Sequence, residues 1–137
     1  MFENYPKVRF ELPEAYKKIY NEYYKINRTG SSPVSFISSK MEKWLHKTVA
    51  KDLKKATKPI FTLEIGAGTL NHLEYETAQA YDIIEPFTEL YENNVNLEKI
   101  NSIYSSIFEI EGQQKYNRII SIATFEHILD LPETVAN

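Results

Sequence analysis

Residues 61–68 read FTLEIGAG, a short apolar run that ends in two glycines. A continuous apolar run of this length predicts a buried strand of the kind found in parallel sheets. Gly66 and Gly68 follow the strand directly, and a backbone without Cβ atoms can pass close to a ligand. The middle of the chain is therefore predicted to hold a strand that ends in a ligand-binding turn.

Three more apolar runs follow this one, at residues 80–85, 101–105 and 118–123. Helical segments are predicted between and after them: a short one over 70–76, one opened by Pro86, and a last one that begins near residues 124–126. Alternating strands and helices predict an α/β fold with a Rossmann-like parallel sheet. Sequential right-handed crossovers predict the strand order 3-2-1-4.

The first 58 residues have a different composition. They hold 13 Lys and Arg against six Asp and Glu, whereas residues 59–137 hold three against 13. Helical spacing predicts one helix from Pro13 to about Ile26 and a second over 35–56. The predicted buried face of the second helix consists of Ile37, Met41, Trp44, Leu45, Thr48, Val49 and Leu53. We expect residues 1–58 to form a helical extension and residues 59–137 to form the sheet domain.

The 137-residue chain is long enough for one domain with a sizeable core, and 42% of its residues are hydrophobic. It has no cysteine, which excludes disulfides and thiolate chemistry. No apolar run approaches the roughly 18 residues of a membrane helix, and the N-terminus does not resemble a signal peptide. We expect a cytoplasmic protein without a membrane or nucleic-acid partner, with the lysine-rich face of the second helix and its His46 in solvent.

The acidic residue Glu85 ends the second predicted strand, 21 residues after Glu64. An acid at this place accepts hydrogen bonds from ribose hydroxyls, while the turn after the first strand offers unpaired N–H groups. The spacing therefore predicts a nucleoside-containing ligand at the carboxyl ends of the strands.

The same region argues against a phosphorylated nucleoside. Asn71 stands where the pyrophosphate fingerprint has its third glycine, and there is no P-loop motif. Neither Lys nor Arg occurs between Lys58 and Lys99, which is a poor setting for a polyanion. S-adenosylmethionine fits better, because it combines ribose and adenine with a sulfonium and carries no phosphate. A nicotinamide-dependent oxidoreductase is correspondingly disfavoured.

At this point the sequence resembles the class I S-adenosylmethionine-dependent methyltransferases. Residues 61–73 (FTLEIGAGTLNHL) look like the first motif of that family and residues 81–86 (YDIIEP) like the second. Residues 116–130 (YNRIISIATFEHILD) look like the fourth strand and the helix after it. The resemblance covers residues 60–134.

The resemblance implies that the chain binds S-adenosylmethionine and gives a role to several residues. Glu64 would orient the glycine turn and Glu85 would bind the ribose. The other implied cofactor-binding residues are Gly66, Ala67 and Gly68 at the methionine and ribose, Pro86, Ser106 and Ile107 at the adenine, and Ala123 and Thr124 at the methionine end. Two positions depart from the family: Leu70 replaces a common third glycine and could crowd the methionine arm, and Ser106 stands where an acid is frequent.

The Glu126-His127 pair is frequent in the small-molecule branch, so the resemblance implies a small-molecule methyl acceptor. His127 is a weak candidate for a general base, and packing or capping of the last helix is the alternative. The N-terminal helices would form a lid, with Tyr24 and Arg28 as candidate contacts. No His, Asp or Glu set has the spacing of a metal site.

The family has three further strands after the fourth, so the chain is expected to be the truncated, cofactor-binding part of such an enzyme. Its uncovered sheet edge or helix faces would then be buried against another copy. The alternative is a non-catalytic domain that keeps the fold and acts in binding or assembly.

Overall fold

The computed structural model describes residues 3–8, 13–16, 18–19, 33–111 and 116–136. Residues 14–16 and 18–19 are helical, as predicted for the start of the first helix. The rest of that helix, with the lid candidates Tyr24 and Arg28, lies outside the described residues. The principal elements are α1 (Pro33–Val49), β1 (Phe61–Ile65), β2 (Ala80–Ile84), β3 (Ser102–Tyr104), β4 (Arg118–Ile120) and α2 (Leu131–Ala136).

The four strands form one parallel sheet in the order β3-β2-β1-β4, which confirms the predicted Rossmann-like α/β fold. Leu63 in the middle of β1 lies opposite Asp82 of β2 and Ile119 of β4. The strands are shorter than predicted, and β4 ends at Ile120. Ser121 leaves the strand and donates its hydroxyl to Ile65 O at 3.0 Å, which turns the chain back toward the end of β1.

The two faces of the sheet carry separate cores. On the face that bears Glu64, called here the Glu64 face, the buried cluster consists of Ala67, Leu70, Leu73, Tyr81, Ile83 and Tyr91. On the opposite face, called the Leu63 face, Leu63, Ile65 and Ile84 are buried beneath Tyr104, Ile107, Ile110, Tyr116 and Ile128. Side chains alternate between these faces because successive residues of a strand point in opposite directions.

The segments after β1 and β2 contain short 3₁₀ turns in place of the helices predicted there, so two helix predictions are wrong. Residues 71–75 form one such turn between β1 and β2. The helix predicted after Pro86 is replaced by turns at 88–90 and 97–99. Asn94 separates them: its side chain donates to Thr69 O and accepts from Asn96 N. Asparagine favours such local bonds over a continuous helix.

The orientation of α1 is a further correction. Ile37, Met41 and Trp44 were predicted to be buried, but they are 60%, 66% and 65% exposed. The helix instead contacts the sheet domain through Glu42 and His46, on another side of the helix. His46, predicted to be in solvent, is buried. The apolar stripe is exposed because the polar side has specific partners on residues 71–76.

β4 forms one edge of the sheet, and Ile119 on it is 61% exposed. The last predicted helix begins later than expected: residues 125–127 form a 3₁₀ turn, and α2 begins at Leu131. Within the part of the chain that the structure describes, no helix has the length and apolar character needed to span a membrane.

Candidate functional site

The glycine turn and Glu85 meet at the carboxyl ends of β1 and β2. Gly68 N donates to Glu85 Oε2 at 2.8 Å, and Phe87 N donates to the other carboxylate oxygen at 3.0 Å. The backbone of Glu85 is fixed as well, because its N–H donates to Tyr104 O at 2.8 Å. Through its carboxylate and its backbone N–H together, Glu85 joins the ends of three neighbouring strands, and 5% of the residue is exposed.

Gly66 allows the glycine turn to lie directly against Thr124, in the segment that follows β4. It has φ +75°, and a Cβ at this position would lie 2.1 Å from Thr124 Cγ2 and 2.4 Å from Thr124 Oγ1. Thr124 itself donates its hydroxyl toward Gly66 O at 3.3 Å. Ala123, just before it, also has a positive φ of 54°. The sequence-predicted residues at the two strand ends are thus in direct contact.

Other predicted site residues lie around this centre with different partners. Ser106 Oγ accepts a bond from Phe108 N at 3.3 Å, and Ile107 packs on the cluster of the Leu63 face. Pro86 is exposed beside Glu85. His127 has an exposed side chain, and its backbone N–H donates to Thr124 O at 2.8 Å. That bond is a backbone bond within the 3₁₀ turn of residues 125–127 and places His127 close to Thr124, so its role as a base or in packing or capping stays a prediction.

Leu70, which departs from the methyltransferase pattern, and Asn71, which departs from the pyrophosphate fingerprint, both have structural roles. Leu70 has a left-handed φ of 63°, a conformation that glycine adopts freely, yet its side chain is 2% exposed in the core. It therefore points into the core and not over the glycine turn. Asn71, which replaces the third fingerprint glycine, donates its side-chain amide to Glu42 Oε1 of α1 at 2.6 Å.

A buried polar cluster lies on the Glu64 face, below the glycine turn. Arg118 is its centre, with a side chain that is 6% exposed. Its guanidinium donates to Glu76 Oε2 at 2.6 Å, to Asp52 Oδ2 at 2.8 Å and to Thr62 Oγ1 at 3.2 Å. Arg118 therefore connects β4 to β1 and to the segments on both sides of β1.

Two histidines extend this cluster to α1. His46 Nδ1 and His72 Nδ1 are 3.3 Å apart, so one of these nitrogens carries the proton that the other accepts. His72 is fully buried and its Nε2 lies 3.6 Å from Glu76 Oε2. Burial lowers the pKa of His46, and neighbouring His72 lowers it further. The pair is a hydrogen-bonded link between the helix and the sheet domain.

Glu64 lies in this cluster and not in the glycine turn. Tyr81 donates its hydroxyl to Glu64 Oε2 in a short hydrogen bond. Burial raises the pKa of Glu64 to about 7, although the bond from Tyr81 opposes the shift. Its side chain is bound by Tyr81 of the neighbouring strand on the Glu64 face, and the orienting role at the glycine turn that the resemblance implied stays a prediction.

Sequence reasoning missed this cluster as a unit. One signal was available: Thr62 and Glu64 are the two polar residues of β1 and stand two apart, so they share a face. The strand register places Arg118 and Tyr81 opposite Thr62 on that face. Asp52 and Glu76, the partners of Arg118, and the His46–His72 pair beyond them come from segments whose position depends on the tertiary fold.

Replacing Glu64 by Gln should remove a pH dependence of stability. The folded-state pKa of Glu64 is about 7, above the ordinary glutamate value of 4.5. The contribution of Glu64 to the free energy of unfolding is therefore fully present below pH 4.5 and is lost as the pH rises through 7. The slope reaches at most about 1.4 kcal/mol per pH unit between these values. Urea unfolding at several pH values from 4 to 8 should show a steeper loss for the unmodified chain than for Glu64→Gln.

The matched control is Glu89→Gln, which removes an exposed carboxylate. Its stability should keep the pH profile of the unmodified chain. Parallel profiles for the unmodified chain and Glu64→Gln would contradict a raised pKa at Glu64.

Within the described residues, no group of three or more His, Asp and Glu side chains is arranged to hold a metal ion. Comparison of the chain with models of known protein families, with curated proteins and with solved structures finds no match. The function must therefore be inferred from the site itself.

Proposed function

We propose that this chain binds S-adenosylmethionine at the carboxyl ends of β1 and β2, as part of a class I methyltransferase that acts on a small molecule. One observation carries the proposal: Glu85 lies against the glycine turn, with its carboxylate 2.8 Å from Gly68 N. An acid at the end of the second strand, beside a glycine turn after the first, is the arrangement that binds a ribose.

The residues present fit a nucleoside without phosphate. Each oxygen of Glu85 accepts one backbone N–H, and a carboxylate has about four acceptor sites, so capacity for two ribose hydroxyls remains. Acidic residues also dominate the adjacent segment, which includes Glu89 and Glu92. The positive charge of a sulfonium is attracted to these acidic residues, whereas the negative charge of a pyrophosphate is repelled by them.

In this proposal Gly66, Ala67 and Gly68 hold the methionine and ribose portions, and Ser106 and Ile107 border the adenine. S-adenosylmethionine would supply an activated methyl group, and the protein would contribute mainly proximity and orientation. We also propose a cytoplasmic location, because the chain has no cysteine for the disulfides that stabilise many secreted domains. The acceptor is a small molecule by the resemblance of Glu126-His127 to that branch.

A second candidate function is binding or assembly without catalysis. Thr124 packs directly against Gly66, and both Glu85 oxygens already have backbone partners. These contacts stabilise the glycine turn without a ligand. A domain that keeps the fold but has no catalytic activity would require the same contacts.

Calorimetric titration with S-adenosylmethionine and with its demethylated product separates the two functions. Micromolar binding of either compound supports the first. Glu85→Gln should then weaken binding roughly ten- to a hundredfold, because hydrogen bonds to a charged acceptor contribute about 1.5–3 kcal/mol. The control Glu111→Gln, which removes an exposed carboxylate outside this segment, should bind normally, and nicotinamide dinucleotides should not bind. Absence of heat and of a thermal shift with both compounds would favour the second function.

A further inference from the structure

The exposed side of α1 combines apolar and basic side chains. Phe36, Ile37, Met41 and Trp44 are each more than half exposed. Lys40, Lys43 and Lys47 are exposed on the same helix, and none of them forms an ion pair with a described residue. The one acid of α1, Glu42, is engaged inward by Asn71. We call this surface the basic patch; its free charge is positive throughout.

A second exposed surface has the opposite charge and is also apolar. Residues 86–98 expose Phe87 by 50% and Val95 by 88%. Glu89, Glu92 and Glu98 are exposed in the same segment, which contains no Lys or Arg. We call this surface the acidic patch.

Both patches lie on the Glu64 face of the sheet, on either side of residues 69–76. On one side, α1 contacts this segment through the Glu42–Asn71 and His46–His72 bonds. On the other side, Asn94 bonds to Thr69 O, and Tyr91 packs with Leu70 and Leu73. A two-fold axis near residues 69–76 would therefore bring each basic patch onto the acidic patch of a second copy.

We infer that the chain forms a two-fold symmetric homodimer in which the basic patch of each copy covers the acidic patch of the other. Such a contact is self-complementary, as a two-fold interface requires. The exposed side chains of the two patches come from residues 36–47 and 86–98, which lie on the same face of the sheet. The inference concerns assembly alone and holds whether or not the chain binds S-adenosylmethionine.

Charge reversal tests the pairing. One variant carries Lys40→Glu, Lys43→Glu and Lys47→Glu; the other carries Glu89→Lys, Glu92→Lys and Glu98→Lys. Each variant alone would place like charges together in both halves of the dimer, so its dissociation constant should rise roughly tenfold or more. In an equimolar mixture, both halves of the heterodimer are complementary again, and a dimer should form. Sedimentation velocity measures all three samples, and circular dichroism verifies that each variant is folded.

The control is Glu111→Lys, an exposed reversal next to Ile110, which packs on the Leu63 face. It should leave the dimer unchanged, whereas added salt should weaken the unmodified dimer. A monomer at high micromolar concentration would overturn the inference. So would a dimer that both triple reversals leave intact, or a mixture that grows into open chains in place of a closed pair.

Discussion

Replacing Arg118 by Ala should destabilise the fold by about 3–5 kcal/mol, the usual cost of breaking a buried ion pair by removing one partner. The Glu76 side chain is 3% exposed and would lose its guanidinium partner at 2.6 Å. Thr62 and Asp52 would lose donors at the same time. Since whole domains are stable by about 5–15 kcal/mol, this is a large fraction of the total. Chemical denaturation at neutral pH measures it.

Arg118→Ala is costly because the buried carboxylate of Glu76 would remain without its cationic partner. Burial alone would lower the pKa of Arg118, but its bonds to Asp52 and Glu76 raise it overall. The same guanidinium helps to hold the pKa of Glu76 low against burial, together with His72. Removing both charges, as in Arg118→Met with Glu76→Gln, should therefore cost less than Arg118→Ala. Lys99→Ala, which removes an exposed cation, should change stability by no more than about 0.5 kcal/mol.

If Arg118→Ala does not yield folded protein, Arg118→Lys keeps the charge and tests the loss of the forked geometry. An unchanged midpoint for Arg118→Ala would contradict a structural role for the cluster.

Gly66→Ala should be much more destabilising than Gly68→Ala, although both glycines have a positive φ. At Gly68 a Cβ would meet nothing within 4 Å, so the cost is the left-handed backbone alone, about 1–2 kcal/mol. At Gly66 the added methyl would overlap Thr124, and such overpacking costs about a further 1–3 kcal/mol. Thermal and urea unfolding of the two variants provide the comparison.

Thr124→Gly supplies the matched test of the mechanism. It removes all three atoms that a Cβ at Gly66 would meet, so in the Gly66→Ala background it should restore part of the lost stability. Equal stability of Gly66→Ala and Gly68→Ala would show that the end of β4 moves away without cost.

The sheet could be predicted because its signals are local. The apolar runs and the glycine turn of residues 61–68 lie within short stretches, and right-handed crossovers leave one strand order. The placement of the glycine turn and Glu85 at the same edge followed from the same reasoning, because carboxyl ends of parallel strands meet there; the direct bond from Gly68 N to Glu85 was not predicted.

The orientation of α1 could not be predicted in this way. Helical spacing identifies an apolar stripe but assumes that the stripe faces the core. Here the contact with the sheet is made by Glu42 and His46, whose partners Asn71 and His72 lie more than 25 residues later. A polar contact between residues so far apart in the sequence leaves no periodic pattern. The charge cluster around Arg118 also depends on contacts between distant segments, so it could not be predicted either.

The central position of β1 has a consequence for the order in which the protein is made. β1 is bordered by β2, which follows closely, and by β4, where Arg118 pairs with Thr62 across 56 residues of chain. During synthesis β1 therefore has a free edge, and Glu64 lacks its basic neighbour, until Arg118 and the rest of β4 have emerged. Contacts of such large sequence separation slow folding and leave strand edges open to other chains. Arg118 at the start of β4 thus covers this edge of β1 late, because 56 positions of chain separate it from Thr62.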